Sequence, residues 1–338
     1  MDSITTFKGI FRMLLTKKRL AMLTIFMSIV FFILLLQLPE SIVGERGEPF
    51  ILFAMKILFL GMTSAITVSF ILILLFKREF VGWQMLSIKK YKNLLWLLIK
   101  RDFHSKYRKS ILGVLWSLLN PLLMMLVLTA VFSYMFRDGI PNFPVYFLSG
   151  RLIYDLFQES TTMAMNSIIS SEGIIKKIYI PKYIFPVSRV LSSLVNIFFF
   201  LIAFFIVVII TGAPFMWTML LIPIPLFYVF VFSLGVSLLL SSAAVFFRDL
   251  AYLYGVFTLL LFFMTPIMFP IEMLPGWLTP YIGLNPLFQF VQYFRDLTMN
   301  GVVPDLWSNL VCIGFALLSL CVGTYAFMKN QDRFILNL

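Results

Sequence analysis

Charge is the scarcest commodity in this chain. Only 12% of its 338 residues are Asp, Glu, Lys or Arg, and the acidic ones number 15. A water-soluble domain carries about 25% charged residues, so there is too little polar surface here to cover a soluble globule. A soluble enzyme is excluded. Histidine occurs once, as His104, and cysteine twice, as Cys312 and Cys321. That set at unrelated spacing holds no metal cluster. The two cysteines share one apolar segment and, on a helix, stand about 13 Å apart along the axis, out of disulfide reach. The sequence lacks a GxxxxGK[ST] phosphate loop, so the chain has no ATP cradle of its own. It also lacks GxSxG, HExxH and Asp-x-Asp. No catalytic residue, metal ligand or cofactor is assigned to it, and we expect a non-enzymatic chain. The first apolar run is not followed by a small-residue cleavage site, so we expect it to stay as a span.

Apolar residues fill the space that charge leaves. They make up 61% of the sequence, aromatics 17%, and the mean hydropathy is +0.99. A helix needs about 20 apolar residues to cross a bilayer, and the segments 20–38, 50–76, 111–136, 187–210, 218–245, 250–269 and 306–328 qualify. A further segment, 145–170, is long enough but polar. This predicts an all-α polytopic membrane protein with eight spans. Between 270 and 304 the run is broken by Pro270, Pro275, Pro280 and Pro286, which predicts two short re-entrant half-helices on the outer side. With both termini in the cytoplasm, nearly all basic residues fall in inner segments, and only Arg46, Arg137 and Arg295 fall in outer loops. The positive-inside rule supports that arrangement. The net charge of +12 is then a topology signal, and nucleic acid is not an expected partner. Composition divides the chain into a two-span hairpin with a basic linker, 1–92, and a six-span body, 93–338. The hairpin, whose one interior charge is Lys56, reads as peripheral.

Three polar constellations stand out. The first is residues 93–110, where Leu95, Ile99, Phe103 and Tyr107 recur at i+4 among Lys100, Arg101 and Arg108. Such a helix lies in the membrane interface, either as a simple anchor for the next span or as a platform for an anionic lipid-linked molecule. The second, within 171–182, places Glu172 in the first turn of a short helix capped by Ser170 or Ser171. Ile174, Ile175, Ile178 and Tyr179 form an apolar knob beside Lys176 and Lys177, which suits a protein partner or a turn lying on the membrane. The third is a stripe in 145–170. Arg151, Asp155, Gln158, Glu159, Thr162 and Asn166 follow helical spacing. Charges within a bilayer normally face a wet cavity or one another, so the stripe reads as a channel lining, with Trp116 and Tyr154 as stacking surfaces, or as an internal Arg151–Asp155 pair. Leu152, Ile153, Leu156, Met163 and Ile168 face the other way.

Several pieces resemble one family. LLIKRDFHSKYRKSILGVLWSLLNPLLMM (97–125), YFLSG (146–150), IIKKIYIPK (174–182), VFFRDL (245–250), TPIMFP (265–270) and LNPLFQFVQYFRD (284–296) follow, in order, the pattern of permease subunits of ABC-type polysaccharide exporters. Those subunits move O-antigens, capsules and teichoic acids across the bacterial cytoplasmic membrane. The resemblance implies the six-span type-2 exporter body and a homodimer. It also implies two copies of a separate ATPase subunit that binds ATP and Mg, and a lipid-linked polysaccharide substrate. It makes 171–182 the coupling helix, with Phe247, Arg248 and Asp249 as a cytoplasmic brace. Residues 271–295 become an outer gate, in which Pro275, Trp277, Tyr281 and Phe288 seal the exit or stack on sugars. Trp277 alone also suits an interfacial aromatic belt. The chain departs from the family at the hairpin 1–92 and at Arg151, where an apolar residue is usual. A drug or peptide permease of the same type, or a membrane-embedded glycosyltransferase relying on Asp155 and Glu159, are the alternatives.

Overall fold

A computed structural model describes residues 90–107, 112–132, 140–178, 180–274 and 282–337. Residues 1–89, Arg108, Arg137, Tyr179, Pro275, Trp277, Pro280 and Tyr281, for which expectations are stated above, lie outside them. The described residues belong to one compact unit, Leu86–Leu338, and their regular elements are all helices. The helices are α1 (Lys92–Tyr107), α2 (Leu115–Phe132), α3 (Phe143–Met165), the single turns α4 (Ser167–Ser170) and α5 (Glu172–Ile175), α6 (Ile184–Ile210), α7 (Pro223–Phe246), α8 (Leu250–Met264), α9 (Pro286–Arg295), α10 (Leu306–Asn330) and the final turn α11 (Phe334–Asn337). Their starts follow local chemistry. Asn142, Asn285 and Asp305 each accept a hydrogen bond from a backbone N–H of the turn they cap, and a proline sits in the first turn of α3 and α9.

Four described stretches are long and apolar enough to cross a membrane: Leu115–Phe132, Ile184–Ile210, Trp217–Phe246 and Leu306–Arg333. Two expected spans come out differently. The segment 250–269 is helical only over the 15 residues of α8, about 22 Å, because the chain leaves the helix before Pro266. The segment 145–170 is interrupted at Asn166, whose backbone ends α3 and restarts as α4.

Helix α3 is the hub. It packs against α6, α7 and α9, and its apolar side is sealed by them, with Leu152, Ile153 and Leu156 fully buried. Two phenols pin α8 to it: Tyr154 donates to the Thr258 carbonyl at 2.5 Å, and Tyr254 donates to Thr161 Oγ1 at 2.6 Å. Helices α7 and α10 make the closest contact in the fold. A Cβ on Gly235 would strike the backbone of Ser319 and Leu320, and one on Gly323 would strike the backbone of Gly235. Only glycine permits this approach.

A core at one end of the bundle gathers Leu95 and Leu98 of α1, Ile168, Ile175, Phe185, Leu238, Val245, Phe327 and Phe334. It corrects three expectations. The buried stripe of α1 is Leu95, Leu98 and Asp102 rather than Leu95 with Ile99 and Phe103; the Tyr107 side chain lies outside the described ones. Ile99 and Phe103 are half-buried, Phe103 stacking on Phe199 at 6.2 Å, while Lys100 and Arg101 are exposed. The reason is electrostatic: Arg189 of α6 reaches Asp102 at 2.6 Å and Ser192 donates to it at 3.3 Å, which turns that face inward. Secondly, Ile175 is 8% exposed, so it belongs to the chain's own core. Thirdly, neither Ser170 nor Ser171 caps the turn that follows: Ser170 donates to the Ser167 carbonyl, and Ser171 makes no side-chain cap.

Candidate functional site

Between α1, α2, α3 and α6 lies a half-open cavity of about 510 Å³. Its floor is the polar stripe of α3. Arg151, Asp155, Gln158, Glu159 and Thr162 all line it, with Trp116 on the opposite wall. These are residues that helical spacing alone brings to one face. Two others named with them do not join. Tyr154 is buried against α8, edge-on to Phe262 at 5.1 Å, because its hydroxyl finds the Thr258 carbonyl there. Asn166 lies at the break after α3 and is not among the lining residues.

The charges in the cavity are arranged in pairs. Arg151 Nε lies 2.8 Å from one Asp155 oxygen and 2.9 Å from the other, while its guanidinium covers the Phe262 ring at 5.4 Å. One turn further, Glu159 accepts from Lys106 Nζ at 2.8 Å and from Asn196 Nδ2 at 2.6 Å. Lys106 comes from the end of α1 and Asn196 from α6, so one carboxylate ties α1, α3 and α6 together. Ser117 and Asn120 of α2 add further polar groups. Asn196 is a cavity residue that motif reading missed, and Lys106, read only as one of the cations of the 93–110 helix, joins it there. Asn196 carried a signal, as a lone amide in an otherwise apolar span, and Lys106 stood in a basic run that spreads the signal over many positions.

The other constellations are more dispersed. In α5 and the turn after it, Lys176 pairs with Glu172 at 2.5 Å, Ile174 is half-buried, and Lys177 and Ile178 face outward, Ile178 being 58% exposed. The exposed apolar knob is thus Ile178, not the whole set. Phe247, Arg248 and Asp249 are exposed in the α7–α8 turn. The residue that reaches the core beside Ile175 is their neighbour Phe246, which packs on Phe334 at 6.1 Å.

At the other end of the bundle, the three motifs YFLSG, TPIMFP and LNPLFQFVQYFRD meet. Arg295 is 4% exposed, which corrects its assignment to an outer loop. Its Nη1 donates to the Pro266 carbonyl at 2.9 Å, Nη2 to the carbonyls of Tyr146 and Ile267 at 3.3 Å each, and Nε to Ser149 Oγ at 3.3 Å. Carbonyls take the place of a carboxylate partner. The guanidinium also lies 3.5 Å from the Tyr146 ring centroid, close enough for a strong cation–π contact. A second cavity of about 510 Å³ opens beside it, lined in part by Tyr146, Pro266, Glu272, Phe288, Gln292 and Arg295. Of the two expected half-helices, the second is α9, which continues as a π-helical turn from Asp296 to Asn300.

Residues 93–299 match the model of the ABC-2 type transporter family. The chain belongs to that family. Among the curated members, it is 30% identical over 246 residues to the O-antigen export system permease protein RfbA of Klebsiella pneumoniae, covering 72% of this chain and 93% of that protein. It is 26% identical over 250 residues to the protein of the same description from Myxococcus xanthus, covering 73% and 96%. The polysialic acid transport protein KpsM of Escherichia coli is 22% identical over 245 residues, covering 70% and 93%. In this ABC-2 chain the family region begins at α1 and takes in both cavities.

Proposed function

We propose that the chain is the permease subunit of an ABC transporter exporting a lipid-linked polysaccharide, of O-antigen, capsule or teichoic-acid type, across a bacterial cytoplasmic membrane. It works as a homodimer with two copies of a separate ATPase subunit that binds ATP and Mg. Six spans of the body, 93–338, cross with both termini inside, α3 among them, and 271–295 with α9 forms the outer gate. The segment 171–182 is the coupling helix and meets the ATPase through Ile178, flanked by Lys177.

The observation that supports this reading best is the chemistry of the α1–α2–α3–α6 cavity. Its charges are already paired side by side, and its amides and hydroxyls are spread over three helices: Gln158 and Thr162 on α3, Ser117 and Asn120 on α2, and Asn196 on α6. Such a wall offers many weak, exchangeable hydrogen bonds. That suits a chain of sugar hydroxyls moving past. Asp155 and Glu159, which a glycosyltransferase would need for chemistry, are engaged by Arg151 and Lys106. The relatives named for O-antigen and polysialic acid point the same way.

The test is purification of the tagged chain from its native membrane, followed by mass spectrometry of what is retained. Recovery of an ATPase together with a lipid-linked glycan supports the proposal. An ATPase accompanied by a drug or peptide favours the alternative permease, and the absence of any ATPase refutes both.

A further inference from the structure

We propose that Arg295 is a positioning residue: the pin through which the outer end of α3 and the segment 265–274, irregular but for a 3-10 turn at Ile271–Met273, move as one body. The exit then opens only when the channel-lining helix shifts. The inference rests on the export reading above, in that α3 is taken to line the path.

The geometry is that of a joint between two pieces. From α3 the guanidinium takes the Tyr146 carbonyl and the Ser149 hydroxyl, and from the segment it takes the carbonyls of Pro266 and Ile267. Tyr146 repeats the bridge from its own side, donating to the Phe269 carbonyl at 2.9 Å and the Pro266 carbonyl at 3.3 Å. Room for the pin is set by Gly150, where a Cβ would lie 3.0 Å from Arg295 Nη2 and 3.2 Å from Ile267. The other end of α9 holds the same segment, since Asn285 Nδ2 donates to Thr265 Oγ1 at 2.9 Å. Helix α9 is therefore a crossbar fastened to 265–274 at both ends and to α3 at one.

A purely structural filler would not need a cation. Burying charge is costly, and an apolar side chain would pack the site at less expense. What a guanidinium supplies is a planar fork of five donors serving several acceptors at once. The acceptors are carbonyls of irregular backbone, which must be satisfied by protein at this depth. The adjoining cavity of about 510 Å³ leaves the segment space to travel.

The experiment uses the permease–ATPase complex in lipid nanodiscs and reads hydrogen–deuterium exchange with and without ATP, a measurement that needs no glycan. The wild type is expected to show an ATP-dependent change in protection at both the outer end of α3 and 265–274. Arg295→Lys keeps the charge but lacks the fork. It should retain the change in α3 and lose that at 265–274, and, read separately in proteoliposomes supplied with lipid-linked glycan, export per ATP hydrolysed should fall about tenfold, within the range for coupling between sites. In a chain carrying Cys312→Ala and Cys321→Ala, Arg295→Ala with Gly150→Cys and Ile267→Cys allows a disulfide in place of the pin. Oxidation should restore the linked response and reduction should abolish it. These two states of one purified chain give the comparison even where Arg295→Lys accumulates poorly. The pin is overturned if the wild type shows no ATP-dependent change at 265–274, if Arg295→Lys responds like the wild type, or if oxidation restores nothing. It is overturned equally if the variants merely melt earlier while export per ATP is unchanged. A linked response in a complex that exports no glycan would sink the export reading and leave the pin standing.

Discussion

Ile175 and Ile178 lie one turn apart in the proposed coupling segment, yet the structure assigns them opposite work. Ile175, at 8% exposure, is part of the core that α1 shares with Phe327 and Phe334, and Ile178, at 58%, is not. Truncating Ile175 to Ala should cost about 2–5 kcal/mol, the usual range for a buried isoleucine. Ile178→Asp should change stability by less than about 0.5 kcal/mol. Docking on the ATPase would bury the remaining 58% of Ile178; at about 1.5–3 kcal/mol for a whole side chain, that is roughly 1–1.7 kcal/mol. Its loss weakens the complex by a factor of about 5–20, before the added penalty of an Asp in an apolar cleft. Titration of the purified ATPase onto nanodisc-embedded variants measures the second quantity, and thermal melting of the same samples measures the first. If Ile178→Asp binds the ATPase with unchanged affinity, or melts as early as Ile175→Ala, the division of labour is wrong.

Other expectations follow from the same geometry. Cysteines placed at 151, 155, 158 and 162 should react with water-soluble thiol reagents and those at 152, 153 and 156 should not; labelling without that period would refute the lining. Glu159→Gln should loosen α1 by releasing Lys106, a part-exposed pair worth about 0.2–1 kcal/mol, and slow export severalfold with melting almost unchanged. Asp102→Asn leaves Arg189 without its carboxylate and should cost about 1.5–3 kcal/mol, read as an earlier melt. Gly235→Ala forces α7 from α10 and should cost at least about 1–3 kcal/mol; a wild-type melting curve would show that the helices are not packed backbone to backbone.

Periodicity made one wall of the cavity legible. The positions 151, 155, 158, 159 and 162 are neighbours by helical spacing alone, so their convergence follows without any knowledge of the fold. The remaining walls do not follow, because Lys106 and Asn196 lie 53 and 37 residues from Glu159 in sequence, and nothing local links them. The coupling segment misled for a different reason. An apolar face looks the same whether a partner or the chain's own core covers it, and only packing shows that Ile175 turns inward. In α1 the hydrophobic pattern lost to a single ion pair, Asp102 with Arg189. Arg295 was illegible because its partners are backbone carbonyls, which leave no trace in side-chain patterns.

The placement of Arg295 also bears on how the protein is made. Its partners Tyr146 and Ser149 are synthesised 149 and 146 residues earlier, and Pro266 and Ile267 follow only 29 and 28 residues before it. Until the guanidinium arrives, the carbonyls of Tyr146, Pro266 and Ile267 lack this donor, and the chain holds an unfinished socket. A lone arginine entering the bilayer costs about 2.5–3.5 kcal/mol, and a ready-made ring of acceptors offsets that cost only if α3 is already in place. The fastening of α3 to 265–274 therefore waits for α9, late in synthesis, with α10 and α11 still to follow. A chain released before residue 295 keeps its early spans but not the fastening between them, which is the form a membrane quality-control protease would recognise.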